Sequence, residues 1–388
     1  MSKERILNTI RGRAVDKAPV YHLQFSGHAA SVILGRADVC IGGAHNQWLE
    51  MNALCAGPDA HAEFVARCES DAVAITKACG MDLLRLGYWR WGLKPAQKLS
   101  DDTFLFDGGQ GQSFTMTYNP QTELFTRTDS GAAAGPPGTF VQPPTEEEFS
   151  RQVQAAQEQA ASYAPPKGPD EKLQATIRKY PDYLVRHGGG TVYVDMHNAS
   201  SLMCAALYPD LYAQLLMARA KMYAAAVPAM AMAGLEVNIA GMDFCSAQGP
   251  TISPELFRRV VSPALKKIVD ACHECGMFYF YTSDGNFWPL ADEMFDVIGV
   301  DGWMETDASA GMDLRRLRQR YPRVTFQGTI RVQVLHRGSI RDVKRETMEC
   351  LAVAHDCGGV IVGASNLIMP GTPPENILAM LRTIEDNR

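Results

Sequence analysis

The 388-residue sequence predicts an α/β fold, a (β/α)8 TIM barrel with an N-terminal helical and antiparallel excursion over the barrel mouth. Three observations carry this reading. Apolar runs of strand length alternate with amphipathic segments of helix length through the C-terminal half, the pattern of a parallel sheet wrapped by helices. Six such repeats fit into about two hundred residues, which suits a barrel. No Gly-rich dinucleotide turn opens any of the helices, which disfavours an open doubly wound sheet.

Taken in chain order, Ser2–Arg11 reads as a helix and Ala18–Gln24 as the first strand, with Leu83–Leu86 a second short one. Between Thr103 and Thr128, Phe104 and Phe106, then Phe114, Met116 and Tyr118, recur at every second position. Gly108-Gly109 and Asn119-Pro120 supply the turns, so this stretch predicts antiparallel pairing. The Gly/Ala/Pro-rich run from Ser130 to Pro144 reads as a mobile loop and Thr145–Tyr163 as a polar helix. The region 103–188 has too few apolar residues for a core of its own. It reads as an insertion within one domain spanning 1–388. The repeats then begin: strand Thr191–Asp195 and helix Pro209–Ala233, strand Glu236–Ala240 and helix Pro254–Cys275, strand Met277–Tyr281 and helix Trp288–Phe295. Val297–Val300 precedes Met312–Arg320, Val324–Phe326 precedes Ile340–His355, and Gly359–Val362 precedes Pro374–Asp386.

Composition narrows the function classes. The net charge of −6 is mild and no Lys/Arg run is present, which argues against nucleic acid. The most apolar stretch, Tyr223 to Ala233, is too short to span a bilayer and contains Pro228. With no export signal and ten scattered cysteines, the expectation is a cytoplasmic protein with reduced thiols.

Barrel enzymes place their chemistry at the C-terminal ends of strands. Those positions hold Asp195 and His197, then Asp243 and Cys245, then Tyr281, Ser283 and Asp284, then Glu305, Gln327, and Ser365 with Asn366. Several carboxylates converging with a His and a Tyr exceed what packing requires, because buried carboxylates are costly unless paired, metal-bound or functional. Each also has a plainer reading. Asp195 suits a helix cap, Asp284-Gly285-Asn286 suits a turn, and Cys245 has no neighbouring His to activate it. Tyr88-Trp89-Arg90-Trp91 and Trp303 stand near the same ends, either as an apolar wall for an aromatic ligand or as core. Arg90 pairs with a substrate carboxylate or with a neighbouring acid.

Four stretches together resemble the uroporphyrinogen-decarboxylase-like superfamily: RILNTIRGRAVDKAPV; GMDFCSAQGPTISPELFRRVVSPALKKIVDACHECG; YTSDGN with VIGVDGWMETDASAGMDLRRLRQRYP; and GGVIVGASNLIMPGTPPENILAMLRTIED. The resemblance implies a (β/α)8 barrel, often a homodimer, whose members include porphyrinogen decarboxylases and cobalamin-dependent methyltransferases. The decarboxylases place two arginines around Gln-Ala-Gly to bind carboxylates. Here the stretch reads LQFSGH, with Gln24 and His28 in those places, and Ser365-Asn366-Leu367-Ile368 replaces their Gly-His-Gly-Ile. The zinc-dependent methyltransferases carry His-x-Cys at a mid-chain strand end. The matching strand here ends Tyr281-Thr282-Ser283-Asp284, while His273-Glu274-Cys275 falls at the end of the preceding helix.

The resemblance therefore implies a corrinoid-dependent methyltransferase of the O-demethylase type. It would move an O- or N-methyl group from a small substrate, an aromatic methyl ether being one option, to cobalamin carried by a partner corrinoid protein. His197, Tyr281, Asp284 and Glu305 are the acids available to the leaving oxygen. His197, Asp284 and Glu305 are the candidates to hold a divalent metal such as zinc. Gln24, His28, Trp89, Arg90, Asp195, Asp243, Trp303 and Asn366 are the expected substrate contacts. The alternative is a lyase or decarboxylase for a smaller carboxylate, with Arg90 or Arg331 as anion clamp. A third class, a non-catalytic binding subunit, fits a carboxylate-rich mouth poorly.

Overall fold

A computed structural model describes residues 2–87, 90, 92–109, 112–128 and 142–388. Its strands in chain order are β1 Gln24–Phe25, β2 Leu83–Leu84, β3 Gln97–Lys98, β4 Thr103–Gly109, β5 Gln112–Asn119, β6 Leu124–Arg127, β7 Leu184–Val185 and β8 Val237–Ala240. They continue with β9 Cys245–Ser246, β10 Gly249–Pro250, β11 Phe278–Thr282, β12 Gly302–Thr306, β13 Thr325–Ile330, β14 Val360–Ala364 and β15 Leu367–Ile368.

The fold is α/β. Five strands form one all-parallel sheet in the order β14-β13-β12-β11-β8. Parallel neighbours need crossovers, and helices Pro254–Val260 and Ser262–Glu274, Leu314–Arg320, and Ile340–Cys357 supply three of them. Backbone contacts continue past both edges. Val20 bridges Val362 of β14, and the Tyr21 N–H donates to the Val362 carbonyl at 3.0 Å. The Asp82 N–H donates to the Val20 carbonyl at 2.9 Å, β2 pairs in parallel with β7, and His187 bridges Asn238 of β8.

The sheet and helices share one main core, which includes Phe280, Trp303, Phe326, Ile361, Leu265 and Met380. Each fully buried large apolar side chain contributes roughly 1.5–3 kcal/mol. The alternating stretch in the N-terminal half forms a separate antiparallel sheet, β3-β4-β5-β6. It buries Phe104, Phe106, Tyr118 and Phe125 against Met51 of helix Ala44–Ala56. Glu123, in the β5–β6 turn, accepts hydrogen bonds from the Gly27 N–H at 2.6 Å and the His28 N–H at 2.7 Å, at the start of helix Gly27–Leu34. Most of the run 130–144 lies outside the described residues.

Three expected elements differ. The strand expected at Val297–Val300 lies instead at Gly302–Thr306, because Glu293–Ile298 is helical. Residues 191–195 form no strand. The ladder is made earlier, at Leu184–Val185 and His187, after an unforeseen helix Glu171–Lys179, and Gly188-Gly189-Gly190 separates the two stretches. The helix expected over Pro254–Cys275 breaks at Val261, because Pro263 lacks the N–H that would continue the ladder. Elsewhere the capping chemistry is explicit: Thr145 and Glu148 form a capping box that starts Glu146–Ser162. Among the described residues no helix is long and apolar enough to cross a membrane.

Candidate active site

Strands β11 and β12 decide which side chains meet. Tyr281 and Trp303 are register partners, and their rings stack at 5.3 Å between centroids. Trp303 also touches Phe287 and Phe295, which belong to the segment following β11, so this face of the sheet packs against the outer layer. Side chains alternate along a strand, so Thr282 points to the other face. A regular β12 would send Glu305 the same way as Trp303. Instead the ladder slips between Trp303 and Thr306, and Glu305 takes φ +70°, a left-handed conformation costly for a side chain other than glycine. This bulge turns the Glu305 carboxylate to the Thr282 side, where the Thr282 hydroxyl donates to Oε1 at 2.6 Å. The Glu305 N–H donates to Gln327 Oε1 at 3.3 Å. Gln327 is fixed in turn by donating from Nε2 to the carbonyls of Tyr21 at 2.9 Å and Ala364 at 3.2 Å.

Asp284 follows β11, and Asn366, between β14 and β15, donates to its Oδ2 at 3.1 Å. Gly241 and Gly285 bring these tips together. A Cβ on Gly241 would fall well inside contact distance of the Thr282 backbone. One on Gly285, already at φ +79°, would collide with the Cys245–Ser246 backbone.

The cluster is electrostatically loaded. Burial, then the negative charge of Asp243 and that of Asp307, raise the Asp284 carboxyl to about 6. Burial raises Glu305 to about 7. The Thr282 hydrogen bond and the Arg186 charge oppose this, while Asp243 and Asp284 reinforce it. Near neutrality Glu305 and Asp284 are therefore each partly protonated, the condition general acid catalysis requires. Burial, Asp284 and Asp243 push the Cys245 thiol up to about 12, which leaves it inert as a nucleophile.

The expected site residues separate into two groups. Asp243, Asp284, Glu305 and Asn366 come together. Tyr281 does not join them: its hydroxyl donates to the Met242 carbonyl at 3.1 Å, and burial raises it far above the usual phenol range. Trp303 is fully buried, donating to the Ser283 carbonyl at 2.9 Å, so it is core and lines no mouth. His197 is exposed, and its N–H closes a turn onto Asp195 at 2.9 Å. Asp195 borders a cavity of about 280 Å³ with Tyr193, Ser201 and Tyr212, which none of the three clustered carboxylates lines. The cap of helix Ala199–Leu207 is Asn198.

Gln24 is buried beside Leu367, and His28 donates from Nε2 to the Thr372 carbonyl at 3.3 Å. Arg90 is bound to the buried Glu50 at 3.0 Å, and Arg331 makes a two-pronged ion pair with Glu346, so both proposed clamps already hold protein carboxylates. Trp89 lies outside the described residues, as do Tyr88 and Trp91. Of the expected metal set, Asp284 and Glu305 meet while His197 stays in solvent. Among the described residues no group of three His, Cys, Asp or Glu is placed to hold a metal ion. His273 bonds Asp301 at 2.8 Å.

Sequence reading missed Thr282 and Arg186. Arg186 donates to the Tyr21 hydroxyl at 2.8 Å, and its charge reaches Glu305. The available signal was the Leu184-Val185-Arg186-His187 run, obscured by placing the strand at 191–195.

No curated protein matches the chain. Among solved structures, a methyltransferase from Methanosarcina mazei aligns over 99% of this chain and 98% of its own, with a TM-score of 0.60 and 19% identity, a likeness of fold. A sugar phosphate isomerase/epimerase from Parabacteroides distasonis aligns over 55% of this chain and 74% of its own, with a TM-score of 0.29 and 9% identity. The family model for uroporphyrinogen decarboxylase (URO-D) matches residues 188–386, just over half of the sequence and the part that holds Asp243, Asp284, Glu305 and Asn366. The chain belongs to the uroporphyrinogen decarboxylase family.

Proposed function

We propose that this protein is a methyltransferase that moves a methyl group from a small methoxylated donor to cobalamin carried by a partner corrinoid protein. The observation that carries the reading is the Glu305–Asp284 pair, raised to about 7 and about 6 on adjacent strand tips. Breaking a methyl–oxygen bond leaves both electrons on oxygen, and an alkoxide leaves poorly unless it is protonated as the bond breaks. Glu305, oriented by Thr282 and Gln327, delivers that proton. Asp284, held by Asn366, reloads it. The reduced corrinoid supplies the nucleophile. Among the described residues no group of three His, Cys, Asp or Glu fits a zinc ion, and no step runs through one.

We read the architecture as a (β/α)8 barrel in which the Val20, Asp82, β2–β7 and His187 contacts link the ends of the five-stranded sheet. The methyltransferase fold neighbour supports both parts of the proposal. The reading includes a cytoplasmic homodimer.

The test is to incubate the protein with methoxylated donors and a reduced corrinoid protein and follow the corrinoid absorbance. Methylation that needs donor and protein together, and collapses in Glu305→Gln, is the expected result. No spectral change with any methyl donor would end the proposal.

A further inference from the structure

We propose that Cys40 and Cys68 form a peroxide-reactive dithiol site, which closes to a reversible disulfide and ties the segment beside the first strand tip to helix Pro58–Ala78. The site stands apart from the Glu305–Asp284 cluster and does not depend on methyl transfer. It begins with placement. Cys68 lies within that helix, and Asp71 follows on the same face. The Cys40 N–H donates to Asp71 Oδ2 at 2.7 Å, which brings residue 40 within a helical turn of Cys68. Both side chains are buried with Phe64 in a small cluster separate from the main core, and both thiols are free. The Cys68 thiol also donates to Asn46 Oδ1 at 3.6 Å. Arg36 is paired with Asp71 and Asp38, and Arg67 donates to the Asp38 carbonyl at 2.9 Å, so two guanidinium groups flank the segment that carries Cys40.

The two sulfurs are chemically unequal. A hydrogen bond from Cys68, helped by the Arg67 and Arg36 charges, holds the Cys40 thiol below the ordinary cysteine range against burial and Asp71. The same bond, then burial, pushes Cys68 up, so Cys40 is the nucleophile and Cys68 its resolving partner. Burial instead pushes the Cys79, Cys204, Cys245, Cys272 and Cys350 thiols up. Hydrogen peroxide is the oxidant. The Cys40 thiolate attacks one peroxide oxygen, the O–O bond breaks, and the departing hydroxide takes up the proton that Cys40 released. The Cys68 sulfur then attacks the Cys40 sulfenic acid. The S–S bond forms, the S–O bond breaks, and hydroxide leaves as water with the Cys68 proton. Two electrons thus pass from the thiols to the peroxide, which becomes two waters. A dithiol reductant reverses the step by exchange. Arg36, Ala37 and Asp38 are exposed, so a shift of this short stretch uncovers Cys40 to so small an oxidant. The segment leads into Gly42, packed on the Gly27 backbone, and Gly43, packed on the Gln24 side chain, so the bridge braces the tip of β1.

The test treats the intact, reduced protein with a slight excess of hydrogen peroxide, in a Cys55→Ser background that removes an exposed thiol. Remaining thiols are alkylated and the digest is read by mass spectrometry. The expected product is a peptide pair joined through Cys40 and Cys68 and released by a dithiol reductant. It should form about 10-fold faster than Cys245 or Cys350 is oxidised. The bridged protein should melt about 5 °C higher, because the closed loop carries helix Ala44–Ala56. Cys68→Ser should trap Cys40 as a sulfenic acid, seen as a dimedone adduct, and Cys40→Ser should leave Cys68 unoxidised. Thermal melts of both variants establish that they fold, and either folded variant suffices. Cys40 and Cys68 both staying alkylatable, another cysteine pair joining first, a bridge forming only after denaturation, a bridge that leaves the melt unmoved, or dimedone marking Cys68 in place of Cys40 would overturn the proposal.

Discussion

The two faces of β11 and β12 have opposite characters although their residues alternate along one chain. On one face Tyr281, Trp303 and the phenylalanines around them form a packed aromatic layer. On the other, Thr282 and Glu305 form a polar pair whose acid is raised to about 7. Position at a strand end does not by itself make a residue functional; the face does, and in β12 a single bulge transfers Glu305 from one to the other.

The largest expected effect tests the polar face. Glu305→Gln should lower methyl transfer about 10³-fold while the protein still melts cooperatively. An undiminished rate would erase the distinction between the faces. Trp303→Ala should act on the aromatic face instead, destabilising the fold by about 4 kcal/mol in denaturant melts.

A smaller effect separates the faces by pH. Glu305 titrates at about 7 in the fold against an ordinary 4.5, so the folded state holds the extra proton between those values. Stability is therefore lost as pH rises through that window. Glu305→Gln should be more stable than the wild type by about 3 kcal/mol at pH near 8, and the two should melt together at a pH of about 4. Asp284→Asn removes a like charge, so the alkaline limb of kcat/KM set by Glu305 should move down by about one pH unit. Least of all, Tyr281→Phe should cost about 1 kcal/mol for the bond to Met242 and leave turnover unchanged. A large loss of turnover there would return Tyr281 to the site.

Much of this was legible beforehand. The parallel strands β8, β11, β13 and β14 follow from apolar runs set between amphipathic helices, and Asp243, Asp284 and Asn366 follow from their places just beyond strands. Glu305 instead sits inside β12, which begins five residues later than the strand expected at Val297–Val300. What was hidden depends on contacts distant in sequence. The sequence Trp303-Met304-Glu305 gives no sign of the bulge, which exists only against β13. Tyr281 and Asp284 look equally polar in the sequence, yet one residue of parity puts the first hydroxyl under a stacked indole. Arg186 is hidden because the valines at 192 and 194, buried outside any strand, give the stronger strand signal in the sequence. Arg90 and Arg331 looked available because Glu50 and Glu346, their partners, lie 40 and 15 residues away.

The Glu123 carboxylate seated on the Gly27 and His28 amides ties the small antiparallel sheet to the tip of the first strand. The hairpin is therefore no detachable ornament. Shortening it would uncover two amide donors at a positive helix end, and they would then recruit whatever acid diffused in. By filling that seat from within, the chain satisfies both donors itself.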